Sequence, residues 1–282
     1  MEHHIGIMQG RLTPSKGRGI QFFPFDNWEK EFYSAQKLGL DEIEFIFDYE
    51  NYKENPLWTE RGVSQIKNLI DDTGIRINAV CFDYFMRRPF YKAETDDKKY
   101  IEQENTEIIK KVLKGMQELN ISLLEIPLVD ASSLQSDNEK ECFQKWLMYI
   151  ISNSDRSIRM ALETDLNPSD FLAYLKSFNS ERVGANYDSG NSSGIGYDAY
   201  EEITTLENYI FNIHIKDRIY HGSTVPLGTG NADFERLFRG LKEIGYKHNF
   251  ILQAARGIDG NEEKNIAMQK HFVLEYIEKF CL

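Results

Sequence analysis

Four residues in this chain could do metal-assisted proton chemistry if the fold brings them together: Glu163, Asp188, His214 and Gln253. Two carboxylates, an imidazole and an amide oxygen make an O/N donor set suited to Mn²⁺, Mg²⁺, Co²⁺ or Zn²⁺, with no thiolate to favour softer ions. One such ion can polarise a carbonyl and stabilise an enediolate while leaving positions open for substrate oxygens. A carboxylate beside it, Glu163 here, can take the proton from the adjoining carbon. Any one of the four alone reads as an ordinary hydrogen-bonded strand end. Four converging on one point read as a site for one divalent cation.

Convergence needs four adjacent strands, and the sequence supplies them. Phe211–Lys216 alternates, with Phe211, Ile213 and Ile215 on one side and Asn212, His214 and Lys216 on the other, the period of a strand. An imidazole and an ammonium on one face are costly to bury unless they are used or paired. Glu163 ends a segment in which Ile158, Met160 and Leu162 take the opposite parity. Asp188 ends another, opposite Val183, Ala185 and Tyr187, and Gln253 a third, opposite Phe250 and Leu252. If the apolar parity faces helices, all four polar groups face inward at the C-terminal ends.

The rest of the chain repeats the same unit. Strands are expected at Ile5–Leu12, Asp41–Asp48, Arg76–Met86, Ser122–Pro127, Ser157–Glu163, Val183–Asp188, Phe211–Lys216 and Phe250–Gln253. Helices are expected between them, at Trp28–Leu38 (N-capped by Asp26), Thr59–Asp72, Asp96–Leu119, Glu139–Ile151, Ser169–Phe178, Asp198–Tyr209 and Asp233–Ile244, and after the last strand at Glu262–Phe280. Strict β/α alternation implies a parallel sheet. Eight repeats in 282 residues, with no break in composition, imply one domain over 1–282 that closes as a (β/α)8 barrel. The first strand does not run into the glycine-rich phosphate turn that an open doubly wound sheet would show.

Composition narrows the partners. A net charge of −12 disfavours nucleic acid, whose affinity comes from clustered Lys and Arg. No apolar run is long enough for a bilayer and no secretory signal pattern opens the chain, so no membrane partner is expected. Cys81, Cys142 and Cys281 are far apart and form no CxxC pair, which fits free thiols in a cytoplasmic protein.

Further polar groups belong to the same mouth. Inward Glu44 and Glu125, on strands two and four, could hydrogen-bond substrate hydroxyls or act as a second base, or else pair with inward cations. Lys216 and Arg218 stand beside His214, and Arg218 could grip a carboxylate or phosphate bidentately or be neutralised by Asp217. Ser189–Gly196 follows Asp188 and reads as a flexible connection, with anion cradling by its amides as the alternative. The aromatic stretch Phe82–Tyr91 could line a pocket or form a lid, and Arg87 and Arg88 could steer an anionic substrate. The remaining histidines show no metal-ligand spacing.

Five segments now carry a resemblance: Ile-Gly-Ile-Met-Gln-Gly-Arg-Leu at the start, Ala161-Leu-Glu-Thr, Asn186-Tyr-Asp-Ser-Gly-Asn, Ile213-His-Ile-Lys-Asp-Arg and Val225-Pro-Leu-Gly-Thr-Gly-Asn-Ala-Asp-Phe. Together they resemble the sugar isomerase/epimerase superfamily of xylose-isomerase-like TIM barrels, over nearly the whole chain and most densely from Ala161 to Gln253. The group includes ketose 3-epimerases, sugar-phosphate epimerases, hydroxypyruvate isomerase, inosose dehydratase and DNA-repair endonucleases. The resemblance implies one divalent metal held by Glu, Asp, His and Glu at the tops of strands five to eight, with the two glutamates shuttling the proton in the epimerases. Glu163, Asp188 and His214 match that pattern. Gln253 departs from it, and an amide accepts no proton at neutral pH. The expected function is therefore a metal-dependent isomerase or epimerase of a sugar or sugar phosphate with Glu163 as its base, which dimerisation in the group extends to an expected homodimer. An inosose-dehydratase-like lyase and a carbohydrate-binding barrel without catalysis are the alternatives. The endonuclease reading is disfavoured, since it needs more histidines at strand ends than His214.

Overall fold

Alternation sorts the side chains as the sequence predicts except at Phe211, which was expected beside Ile213 and Ile215 but turns to the inward Ala79, Leu123 and Ala161 where the register shifts between strands six and seven. Ile158, Met160 and Leu162, then Val183, Ala185 and Tyr187, then Ile213 and Ile215, then Phe250 and Leu252 all join the apolar layer beneath the surrounding helices. Their neighbours of opposite parity point into the barrel. In the computed structural model, which describes residues 3–282, eight parallel strands close on themselves. They run Ile5–Met8, Glu42–Ile46, Ala79–Cys81, Leu123–Leu128, Arg159–Thr164, Val183–Asp188, Ile210–Ile215 and Phe250–Leu252, and the eighth pairs with the first. A two-stranded ribbon, Asp217–Arg218 with Thr224–Val225, stands over the mouth after strand seven.

Lateral register stacks the inward groups in layers. Asp188 is level with His214, and His214 with Ile251. Glu163 is level with Pro127, which puts Glu125 one inward step deeper, level with Ala161 and Cys81. Small and apolar groups (Ala79, Leu123 and Ala161, with Phe211 against them) close the barrel below. The usual filling of branched aliphatics is thus replaced at the upper levels by carboxylates, amides and one imidazole.

Helix ends follow local chemistry. Thr59 accepts the Gly62 amide at the start of Glu60–Thr73, and Gly74 ends that helix at φ 72°, a left-handed geometry that suits glycine. Ser136 and Glu139 form a capping box on Asp137–Ser152. At Trp28–Lys37, Asn27 rather than Asp26 takes the cap position, and it makes no side-chain cap bond. Glu31 from this helix instead reaches back to accept the amides of Gly10 and Leu12 at 2.9 and 3.0 Å, and this turns the chain after strand one.

Strand three, expected to run into an aromatic loop, ends at Cys81, and the stretch after it packs against the helix Asp137–Ser152. Tyr84–Arg87 is a helical turn, and Phe85 stacks on Trp146 with centroids 5.3 Å apart. Phe82, Tyr84, Phe85, Phe90 and Tyr91 are all buried. The aromatic stretch therefore belongs to the main apolar core and forms no lid. No helix among the described residues is long and apolar enough to cross a membrane.

Candidate active site

Ser189–Gly196, expected to be a flexible loop, contains a helix, Ser189–Ile195. Asp188 is its N-cap: Oδ1 accepts the amides of Gly190 and Asn191 at 2.8 and 2.7 Å. Those amides are spent on Asp188, so they cradle no anion. One Asp188 oxygen thus fixes the backbone and the other, Oδ2, faces the barrel axis. Asn191 lies in the first turn of the same helix, and its Nδ2 donates to Glu163 Oε1 at 2.5 Å. Asn186, inward on strand six, donates to the other Glu163 oxygen at 2.6 Å. Both oxygens of Glu163 therefore accept from amides, the pattern expected of an acceptor-only carboxylate.

His214 is fully buried among these groups. Its Nε2 lies 3.0 Å from Glu44 Oε1, and Asn212 Nδ2 donates to the other Glu44 oxygen at 2.8 Å. Its Nδ1 lies 3.3 Å from Glu163 Oε2 and 3.9 Å from Asp188 Oδ2. Burial alone would lower the pKa of this ring; Glu44 and Glu163 outweigh it and hold the imidazole well above its ordinary value. Asn186 Nδ2 lies closer to Nδ1 than either carboxylate, at 3.0 Å. A cation bound at Nδ1 would take the place of its proton and leave the Nε2 proton pointing at Glu44. That is the arrangement in which a carboxylate fixes the tautomer of a metal-binding histidine.

Glu163, Asp188 and His214 offer ligand atoms that all lie within 4.8 Å of one another. Two oxygens and one nitrogen at that spacing, with the histidine oriented from behind, fit a divalent cation. Gln253 stands just past strand eight. Its Nε2 donates to Gln21 Oε1 at 3.0 Å, which turns Oε1 toward Lys216 Nζ at 3.3 Å. Lys216 Nζ also reaches Asp188 Oδ2 at 3.2 Å and Asn191 Oδ1 at 3.1 Å. A Cβ at Gly190 would come within 2.5 Å of Lys216 Cγ, so only glycine leaves that stem its path.

The other sequence-predicted residues divide by position. Lys216, Arg218, Glu125, Glu163 and Gln253 line one cleft of about 550 Å³ at the mouth. Glu44 lies outside that lining, behind His214. Arg218 donates to Asn191 Oδ1 at 3.0 Å and to the Gly222 carbonyl at 2.9 Å. Asp217 does not neutralise it, because the Asp217 oxygens accept the amides of Gly230 and Ala232. Glu125 has neither oxygen hydrogen-bonded, and burial, Glu163 and Glu44 raise its pKa well above that of an ordinary carboxyl. Of the two arginines after strand three, Arg87 lines the cleft while Arg88 is paired with Glu104 at 2.9 Å.

Sequence reasoning missed Asn186, Asn191, Gln21 and Asp83. The first two carried a signal: Asn186 has inward parity, and Asn191 follows Asp188 by about one helical turn. Gln21 and Asp83 sit on irregular chain, where no period marks them.

A family model described as a xylose isomerase-like TIM barrel matches residues 32–272. Among curated proteins, L-ribulose-5-phosphate 3-epimerase UlaE of Salmonella heidelberg (strain SL476) is 24% identical over 257 residues, covering 87% of this chain and 88% of its own length. D-allulose 3-epimerase from Methylomonas sp., solved with D-allulose bound, superposes with a TM-score of 0.74 at 14% identity, covering 97% of each chain. The IolI protein, solved with a zinc atom bound, superposes at 0.71 and 17% identity, covering 98% of this chain and 99% of its own. The chain belongs to the xylose isomerase-like TIM barrel family.

Proposed function

We propose that this protein is a metal-dependent isomerase or epimerase acting on a ketose or ketose phosphate, with Glu163 as the base. The observation that carries this reading is the convergence of Glu163, Asp188 and His214 on one point, with Asn186, Asn191 and Glu44 fixing their orientation. The names of the relatives support the substrate class, since they act on L-ribulose 5-phosphate and D-allulose.

Glu163, Asp188 and His214 would hold the divalent ion, with Gln253 Oε1 as a fourth, neutral donor. The bound ion supplies polarisation of the substrate carbonyl. Glu163 takes the proton from the carbon beside that carbonyl, and its two amide donors keep the carboxylate aimed while the proton moves. Lys216 is positioned to meet the oxygen on which negative charge develops. Arg218 has N–H groups left over to hold an anionic end of the substrate. Glu125 on the floor, its pKa raised by burial, can donate to a sugar hydroxyl when it holds its proton, and Glu44 acts through His214 rather than by touching substrate.

Incubation of the purified chain and Mn²⁺ with L-ribulose 5-phosphate or D-allulose in D₂O, followed by NMR, tests the reading. Deuterium entry at the carbon next to the carbonyl is expected. Sugar binding with no exchange at any carbon would instead favour the alternative of a carbohydrate-binding barrel, for which the amide at position 253 is the supporting observation.

A further inference from the structure

Inverting a carbon by proton transfer takes one group to remove the hydrogen and a second, on the other face, to return one. Glu163 is placed for the first task, and the Gln253 amide is unfit for the second. We propose that Asp83 is the second proton-transfer residue of this barrel, sharing a single cleft with Glu163. The assignment rests on the isomerase/epimerase reading above.

Asp83 and Glu163 both line the mouth cleft. Asp83 follows strand three and Glu163 sits at the top of strand five, with strand four between them. Two strand spacings put their backbones about 10 Å apart, enough to admit a sugar carbon chain between the two carboxyls. Gln21 lies in the same cleft lining as Asp83 and position 253, and its Oε1 accepts from Gln253 Nε2 at 3.0 Å. Position 253, where the family pattern has glutamate, and Asp83 thus open on one cleft, with Gln21 beside them. Glu125 is the weaker candidate, because it lies a layer below Glu163 at the barrel floor.

The charged groups around Asp83 come from four segments: Asp48 after strand two, Arg87 on the helical turn, Glu163 on strand five and Arg11 after strand one. Burial pushes the Asp83 carboxyl up to about 7; Asp48 and Glu163 add to this, and Gln21 and Arg87 oppose it. Near neutral pH it can hold a proton to deliver, while the amide donors on Glu163 prepare that group to accept one. In the step, Glu163 takes the proton and the C–H electron pair becomes the double bond of the enediolate. The Asp83 carboxyl then gives its proton to the opposite face as that pair forms the new C–H bond. Exchange with water resets both groups, and no oxidant or reductant takes part.

The full chain with Mn²⁺ is incubated in D₂O with L-ribulose 5-phosphate and, separately, with D-allulose, and NMR follows epimer formation and deuterium entry at the same carbon. Asp83→Asn, isosteric with the protonated side chain, is expected to slow epimer formation by roughly 100-fold. The unreacted ketose should still gain deuterium within about tenfold of the parent rate, through Glu163 alone. Asp83→Ser, which removes the carboxyl without filling the cleft, is the second variant and carries the same expectation. Adding Gln253→Glu to Asp83→Asn should recover at least about tenfold in epimer formation. Epimer formation within about threefold of the parent in either variant, or joint loss of exchange and epimer formation in a folded variant, overturns the assignment and leaves the isomerase reading standing. A parent chain that neither exchanges nor epimerises either ketose overturns that reading, and the assignment with it.

Discussion

The two halves of the barrel mouth handle buried carboxylates in opposite ways. On strands five to seven, Glu163 and Asp188 are met by Asn186, Asn191, Lys216 and backbone amides, and His214 lies between them. On strands two to four, Glu44, Cys81 and Glu125 also converge, yet Glu125 has no hydrogen-bond partner and the Cys81 thiol is held protonated by burial and nearby carboxylates. The first half keeps its oxygens as acceptors, ready for a cation or a proton. In the second, burial favours the protonated forms of Glu125 and Cys81. A site that moves protons needs both conditions within a few ångströms, and strands that carry different neighbours provide them without any change in residue type.

The largest effect that would sharpen this contrast is expected at Glu163. Glu163→Gln keeps the shape and removes the base, so deuterium exchange into the ketose should fall by about 1,000-fold or more, with little change in the unfolding midpoint. Exchange at the parental rate would break the contrast at its strongest point. Glu44→Gln comes next. It weakens the acceptor that orients His214, so Mn²⁺ affinity by isothermal titration calorimetry should drop roughly 10- to 100-fold.

Smaller effects separate a satisfied network from an unsatisfied one. Asn186→Ala removes the donor shared by Glu163 and His214, and urea unfolding should show a loss of about 2 kcal/mol. Glu125→Gln should differ least from the parent at low pH, by less than about 1 kcal/mol, because the raised pKa favours a neutral carboxyl there. Burial, Glu163 and Glu44 raise the Glu125 pKa in the folded protein, with His214 and Cys81 opposing them across the floor. A raised folded pKa gives stability that is full below the unfolded value and is lost as pH climbs toward the folded one. The Gln variant escapes that loss and should be the more stable of the two at pH 8. Equal pH profiles would show that Glu125 is ionised and that the two halves do not differ.

Strand parity was legible in the sequence, and so was the convergence of Glu163, Asp188 and His214. A period of two fixes which side chains share a face, and β/α alternation fixes that the faces point to a common axis, so Glu163, Asp188, His214, Glu44 and Glu125 could be assigned inward from spacing alone. The helix after Asp188 was not legible, because Ser and Gly favour loops and only the Asp188 cap turns Ser189–Ile195 into a helix. Tertiary packing alone decided that Asp217 serves the Gly230 and Ala232 amides instead of Arg218, and that the Phe82–Tyr91 aromatics fill a core instead of lining the cleft. It also decided which carboxyls keep their protons. Protonation follows from desolvation and from neighbours brought in by distant strands, and a linear chain does not contain those distances.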